Sequence, residues 1–63
     1  MQFELREERV SHHSNGVVEV TERRIVTRNE TEIDSKFFDM EVGHRRNMKK
    51  SEDHVTFSIV RVE

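Results

Sequence analysis

The fold is decided by residues 7–24, which read EERVSHHSNGVVEVTERR. At the centre of this stretch lies Asn15-Gly16, a strong signal of a β-hairpin because both residues tolerate the positive φ angles of a type I′ turn. A two-residue loop there would place residues whose numbers sum to 31 opposite each other. This register creates three oppositely charged pairs across the hairpin: Glu7 with Arg24, Glu8 with Arg23, and Arg9 with Glu22.

The agreement of the three pairs predicts a hairpin over about residues 2–28, because each directly opposed pair of opposite charge contributes about 0.2–1 kcal/mol. The same register sets Leu5 opposite Val26 and Ser11 opposite Val20. Strict alternation would interrupt the face of Val18 and Val20 with charged side chains. A β-bulge near Arg23-Arg24 would bring Ile25 onto that face instead, and the sequence leaves both alternatives open.

The second half of the chain has the alternating pattern of a second hairpin, over residues 37–62. Apolar residues recur at every second position in two runs: Phe38, Met40 and Val42, then Val55, Phe57 and Ile59. Pairing positions that sum to 99 sets Val42 opposite Phe57 and Arg46 opposite Asp53, with a long loop between the strands. We therefore expect an all-β protein, a small antiparallel sheet of two β-hairpins.

A helix near residues 32–42 is the alternative, and it would give a ββαβ arrangement. Ile33, Phe37 and Met40 follow helical spacing, Thr31 and Asp34 resemble a weak capping box, and Gly43 suits the end of a helix. The all-β interpretation is preferred because residues 35–42 contain few strong helix formers.

Composition limits the class of protein. The 63 residues form one domain, residues 1–63, with 32% hydrophobic and 38% charged residues and no cysteine. Nine valines, three isoleucines and four threonines favour strands, because β-branched side chains suit a pleated sheet. So few apolar residues can build only a small core. Because a small core stabilises a chain weakly, we expect homo-oligomerisation, as a homodimer or higher oligomer, to complete the sheet. No apolar run approaches the length of a membrane span, which predicts a cytoplasmic protein without a membrane partner.

Charge is divided into blocks along the chain. Residues 29–42 carry a net charge of −4 and residues 43–51 a net charge of +4. We expect a basic loop at residues 44–50, and its four cations are candidates for binding a partner or phosphate groups: Arg45, Arg46, Lys49 and Lys50. Three interpretations stay open: a solvated loop that protects a sheet edge, a contact with the acidic segment of another subunit, and binding of phosphate or nucleic acid.

No pattern in the chain indicates catalysis, a cofactor or a metal. His12 and His13 are neighbours on a predicted strand, so their side chains point to opposite faces and cannot share one ion without a bulge. Gly16 and Gly43 lie too far apart for a phosphate-binding glycine loop. A single small sheet also offers little room for a ligand pocket. We expect no cofactor, no metal site and no enzymatic activity.

The second hairpin has more apolar side chains than a single-layer sheet needs, which predicts an interface with another chain. The candidate interface residues are Phe37, Phe38, Met40, Val60 and Val62. The expected function is a non-catalytic, oligomeric protein-interaction module that binds an unidentified protein, of the inhibitor or accessory-factor type that small viral proteins provide. The alternative is binding of nucleic acid or a nucleotide through the basic loop.

Overall fold

A computed structural model describes all residues from Met1 to Glu63 and shows one antiparallel sheet of four strands. The strands are β1 (Gln2–His12), β2 (Val18–Asn29), β3 (Arg45–Glu52) and β4 (Val55–Arg61). Their order across the sheet is β2-β1-β4-β3. The predicted all-β fold of two hairpins is confirmed, and the hairpins join through β1 and β4, the first and last strands of the chain.

The first hairpin keeps the predicted register in its central part, where Leu5 lies opposite Val26 and all three predicted charged pairs face each other. Its turn differs from the prediction. The amide of His13 donates to the Val17 carbonyl at 2.9 Å, so the loop has three residues, 14–16. Gly16 alone has a positive φ, 85°, and its amide donates to the His13 carbonyl. A left-handed glycine at the end of the loop is the arrangement that three-residue hairpin loops favour.

A β-bulge compensates for the longer loop. Val10 lies opposite Val20 and Arg9 opposite Glu22, so Thr21 is the extra residue of β2. The predicted pairing of Ser11 with Val20 is therefore wrong. The three-residue loop moves the register by one position and the bulge moves it back, which preserves the charged pairs. The bulge also places Val18 and Val20 on the same face as Ile25. One of the two alternatives from the sequence required this arrangement, but with a bulge near Arg23-Arg24, whereas the bulge lies at Thr21.

The second hairpin begins later than predicted and has a different register. Arg46 lies opposite Ile59 and not Asp53, and Phe57 faces Lys49 and not Val42. Its two-residue turn is formed by Asp53 and His54, with φ of 52° and 64°. The type I′ geometry predicted for Asn15-Gly16 thus occurs here. The apolar pattern of β4 predicted that strand, but β3 is an exposed edge strand and needs no apolar alternation.

Residues 30–44 form neither the expected strand over 37–42 nor the alternative helix over 32–42. They contain two short 3₁₀ turns, Glu30–Glu32 and Ser35–Phe37. Each turn begins at a side chain that accepts a backbone hydrogen bond: Asn29 accepts from Thr31 and Asp34 from Lys36. Two caps within six residues interrupt a continuous helix. We call residues 30–44 the covering segment, because they pack over one face of the sheet.

The core lies between the covering segment and the sheet face that carries Phe3 and Ile59, which we call the core face. Phe3 and Ile59 pack there against Phe37 and Met40, and the Phe3 ring stacks on Phe38 with centroids 6.5 Å apart. The other face of the sheet, the outer face, has no second layer. The covering segment occupies only one end of the core face, and this leaves the rest of that face open.

Candidate functional site

The predicted basic loop is strand β3, so its description as a loop is wrong. Arg45 and Arg46 are consecutive strand residues and point to opposite faces of the sheet. Arg45 donates to Glu8 at 3.0 Å, and Arg46 donates to Asp39 at 3.2 Å. The structure does not bring these two arginines to one site. Binding of phosphate or nucleic acid by this segment stays a prediction.

The other two predicted cations differ in their surroundings. The Lys49 ammonium lies 4.1 Å from the centre of the Phe57 ring and 3.9 Å from a Glu52 carboxylate oxygen. Lys50 is exposed and has no ion-pair partner. Three of the four cations therefore have partners within the chain, which accounts for much of the +4 charge block without a ligand.

Glu8 joins both edge strands on the outer face. Its side chain is 7% exposed, and its two oxygens accept from Arg23 of β2 at 3.3 Å and from Arg45 of β3 at 3.0 Å. Burial of a carboxylate is unfavourable unless it is paired and hydrogen-bonded, and two guanidinium groups satisfy that condition here. The charge pair of Glu8 and Arg23 was predictable from the hairpin register, but Arg45 joins it only through the β1–β4 pairing.

The predicted interface residues lie mostly inside the chain. Phe37 and Met40 are each 3% exposed in the core, Phe38 is half-buried, and Val60 is buried on the outer face. Val62 alone is well exposed, at 40%. The placement of Phe37, Phe38 and Met40 on a second hairpin is wrong, because they belong to the covering segment and close the chain's own core. An interface with another chain stays a prediction.

An open groove crosses the core face beside the covering segment, with a volume of about 410 Å³. Half-buried apolar side chains from all four strands form its floor: Leu5, Val26, Met48 and Phe57. Charged side chains surround this floor, and those on the core face are Glu7, Arg24, Arg28 and Lys49. Its residues come together because β1 pairs with both β2 and β4. The sequence register predicted only the contact between Leu5 and Val26, since the other contacts depend on pairing between the hairpins.

The groove is positively charged. Arg24 has no carboxylate partner, although Glu7 is directly opposite on β1. The guanidinium of Arg28 donates to the backbone carbonyl of Thr27 at 2.9 Å and to no acid. Two arginines without carboxylate partners beside an apolar floor can bind a carboxylate-bearing ligand.

The histidines are not close enough to other possible metal ligands to form a metal site. His12 and His54 line a shallow hollow together with Arg9, Val10 and Ser11. No three side chains of His, Asp or Glu come together in an arrangement that could hold an ion. The open groove is therefore the strongest candidate site.

Comparisons with protein-family models, with curated proteins and with solved structures find no match to this chain. None of its helical segments has the length and hydrophobicity required to cross a membrane.

Proposed function

We propose that this protein is a non-catalytic protein-interaction module and that its binding surface is the open groove. One observation carries the proposal: half-buried apolar side chains of all four strands line an open groove beside the core, next to two arginines that have no carboxylate partner. An apolar centre within a charged rim is typical of protein interfaces.

The chemistry of the groove favours an acidic polypeptide segment that carries an apolar side chain. The floor, with Leu5 and Phe57, accepts an aliphatic or aromatic group. Arg24 and Arg28 can then each form paired hydrogen bonds with a carboxylate beside that group. The groove volume of about 410 Å³ lies near the lower end of the roughly 300–1,000 Å³ of typical ligand sites, which suits one or two side chains.

Binding of phosphate or nucleic acid through β3 is the less favoured alternative, because the cations of β3 are divided between two faces and Arg45, Arg46 and Lys49 have internal partners. It predicts weak association with oligonucleotides that falls steeply with salt and is lost when these residues are neutralised. No association at low salt would contradict it.

A peptide-binding measurement tests the proposed function. The probe is a short fluorescent peptide with acidic residues on both sides of one phenylalanine, and the control peptide has lysines in place of the acids. We expect the acidic peptide alone to bind, with an affinity that decreases at higher salt. Arg24→Glu should weaken binding by about tenfold, which corresponds to about 1.4 kcal/mol.

Lys50→Glu is the matched control, because it makes the same charge reversal at an exposed residue outside the groove. This variant should bind the acidic peptide like the wild type. Equal binding of the two peptides, or equal effects of the two variants, would overturn the proposal.

A further inference from the structure

We infer that the partner bound in the open groove is a second copy of this chain, and that the covering segment of each copy lies in the groove of the other. This inference rests on the proposed function, because it names the partner of the same site. The resulting assembly is a two-fold symmetric homodimer.

The covering segment carries exposed apolar and acidic side chains of the kind that the groove is proposed to bind. Val42 is 58% exposed, although it is a large apolar residue, and the adjacent Glu41 side chain is 80% exposed. Glu41 has no arginine or lysine partner, and its nearest titratable neighbour is His44, at 3.6 Å. Residues 29–42 carry a net charge of −4. An exposed valine next to an unneutralised carboxylate complements an apolar floor beside unpaired arginines.

The position of the groove allows both copies to bind in the same way. Leu5 and Met48 of the groove floor pack against the core cluster that contains Phe37 and Met40, so the groove adjoins the covering segment on the core face. Glu41 and Val42 lie at the end of the segment, where the Gly43 amide donates to the Arg61 carbonyl of β4. A two-fold axis that brings two core faces together can therefore set each segment over the other copy's groove. Such an interface uses the same patch on both copies, and it closes at two subunits without further growth.

The sheet edges are poorly suited to self-association, so a face of the sheet is the favoured surface, and the arginines without carboxylate partners lie on the core face. The β2 edge has a bulge at Thr21 and carries Arg23, Arg24 and Arg28. The β3 edge has register shifts at two places and carries Arg45, Arg46, Lys49 and Lys50. Bulges and cationic side chains both prevent edge strands from pairing with another copy.

The low burial of the isolated chain agrees with a face-to-face dimer. Only seven of 63 residues are buried in the isolated chain. A second copy over the groove would give the half-buried floor residues the second layer that they lack.

Sedimentation of two charge-reversed variants tests the inference. The wild type should sediment at twice the 7.6 kDa of one chain. Arg24→Glu removes the net positive charge of the groove and places a second carboxylate opposite Glu7, and Glu41→Lys gives a segment that repels the basic groove, so each variant alone should be a monomer. Mixed in equal amounts, they should form a heterodimer, because both of its groove–segment contacts then join opposite charges.

Circular dichroism and urea unfolding establish that each variant is folded, and Lys50→Glu should remain a dimer. Val42→Ser provides a second probe of the segment that changes no charge, and it should weaken the dimer. A folded wild-type monomer, a dimer insensitive to Arg24→Glu, or a mixture that stays monomeric would overturn the inference.

The Glu41→Lys monomer separates this inference from the proposed function, because its groove is intact and free of a second copy. It should bind the acidic peptide more tightly than the wild type does. Peptide binding by a monomeric wild type would overturn the dimer and leave the proposed function standing. A Glu41→Lys protein that does not distinguish the acidic from the basic peptide would overturn the proposed function itself.

Discussion

At the scale of single residues, Glu8 has the most consequential contacts in the sheet. It is the one buried carboxylate, and it links β1 to Arg23 on one edge strand and Arg45 on the other. The outer face has no second layer, so long charged side chains lie across it. Ser58, for example, is 1% exposed between its cross-strand neighbours Arg6 and Asn47.

Glu8→Gln should lower the free energy of unfolding by about 1–2 kcal/mol, because it removes the negative charge that pairs with two guanidinium groups while the amide keeps the shape of the side chain. The figure is limited by the half-exposed arginines, which water screens. Urea unfolding of the variant and the wild type measures the difference. Glu22→Gln is the matched control, since Glu22 forms an exposed pair with Arg9 and its loss should cost less than about 0.5 kcal/mol. Equal losses for the two variants would contradict the role assigned to Glu8.

At the scale of elements, the two hairpin turns show that a local sequence signal can predict the position of a turn but not its length or backbone conformation. Asn15-Gly16 correctly marked a turn, but His13 and Val17 close a three-residue loop there, and Gly16 alone has a positive φ. The two-residue turn with two positive φ angles belongs to Asp53 and His54, which carry no comparable signal. Tertiary pairing of β4 with β1 and β3 sets the strand ends, and the turn between β3 and β4 adopts the conformation that those ends require.

His54→Gly should stabilise the protein by about 0.5–1 kcal/mol. The left-handed conformation costs a residue with a side chain roughly 1–2 kcal/mol, which glycine avoids, while glycine loses more backbone entropy on folding. Thermal unfolding should show a higher Tm. His12→Gly is the control, because residue 12 lies in β1 without a positive φ, and glycine there should destabilise the protein. A lower Tm for His54→Gly would contradict the assigned turn geometry.

The secondary structure of the covering segment could not be predicted from its sequence pattern. Phe38, Met40 and Val42 alternate like a strand, and Ile33, Phe37 and Met40 are spaced like a helix, yet the segment is two capped 3₁₀ turns. The two patterns share Met40, which is buried in the core together with Phe37. The basic residues that follow were expected in a loop because their sequence lacks apolar alternation. They form the edge strand β3, which has no layer packed over it and therefore does not need that alternation.

At the scale of the whole molecule, the first and last strands of the chain form the centre of the sheet. β1 and β4 each have two neighbouring strands, whereas β2 and β3 each have one. Beyond Val10, whose amide donates to the His54 carbonyl, β1 has no neighbour except β2. Residues 11–19 therefore extend from the body as a two-stranded arm, in agreement with the elongated shape of 41 × 19 × 17 Å.

Hydrogen exchange should reveal this arrangement as a gradient of protection. Backbone amides of β4 and of residues 3–9 should exchange most slowly, because they lie in the centre of the sheet, and amides of the arm should exchange at least about tenfold faster relative to their intrinsic rates. Amide-resolved NMR exchange measures this difference. Equal protection of the arm and the centre would contradict the strand order.

The sequence by itself determined the strand composition, the first hairpin and the opposition of its three charged pairs. These features depend on residues close in the chain, so charge pairing specifies them locally, with the bulge at Thr21 compensating for the three-residue turn. Only the tertiary structure decided that β1 pairs with β4, that residues 30–44 close the core and that a basic groove stays open beside them. Antiparallel pairing between distant strands depends on which apolar faces can be buried together, and a pattern shared by strand, helix and turn does not encode that choice.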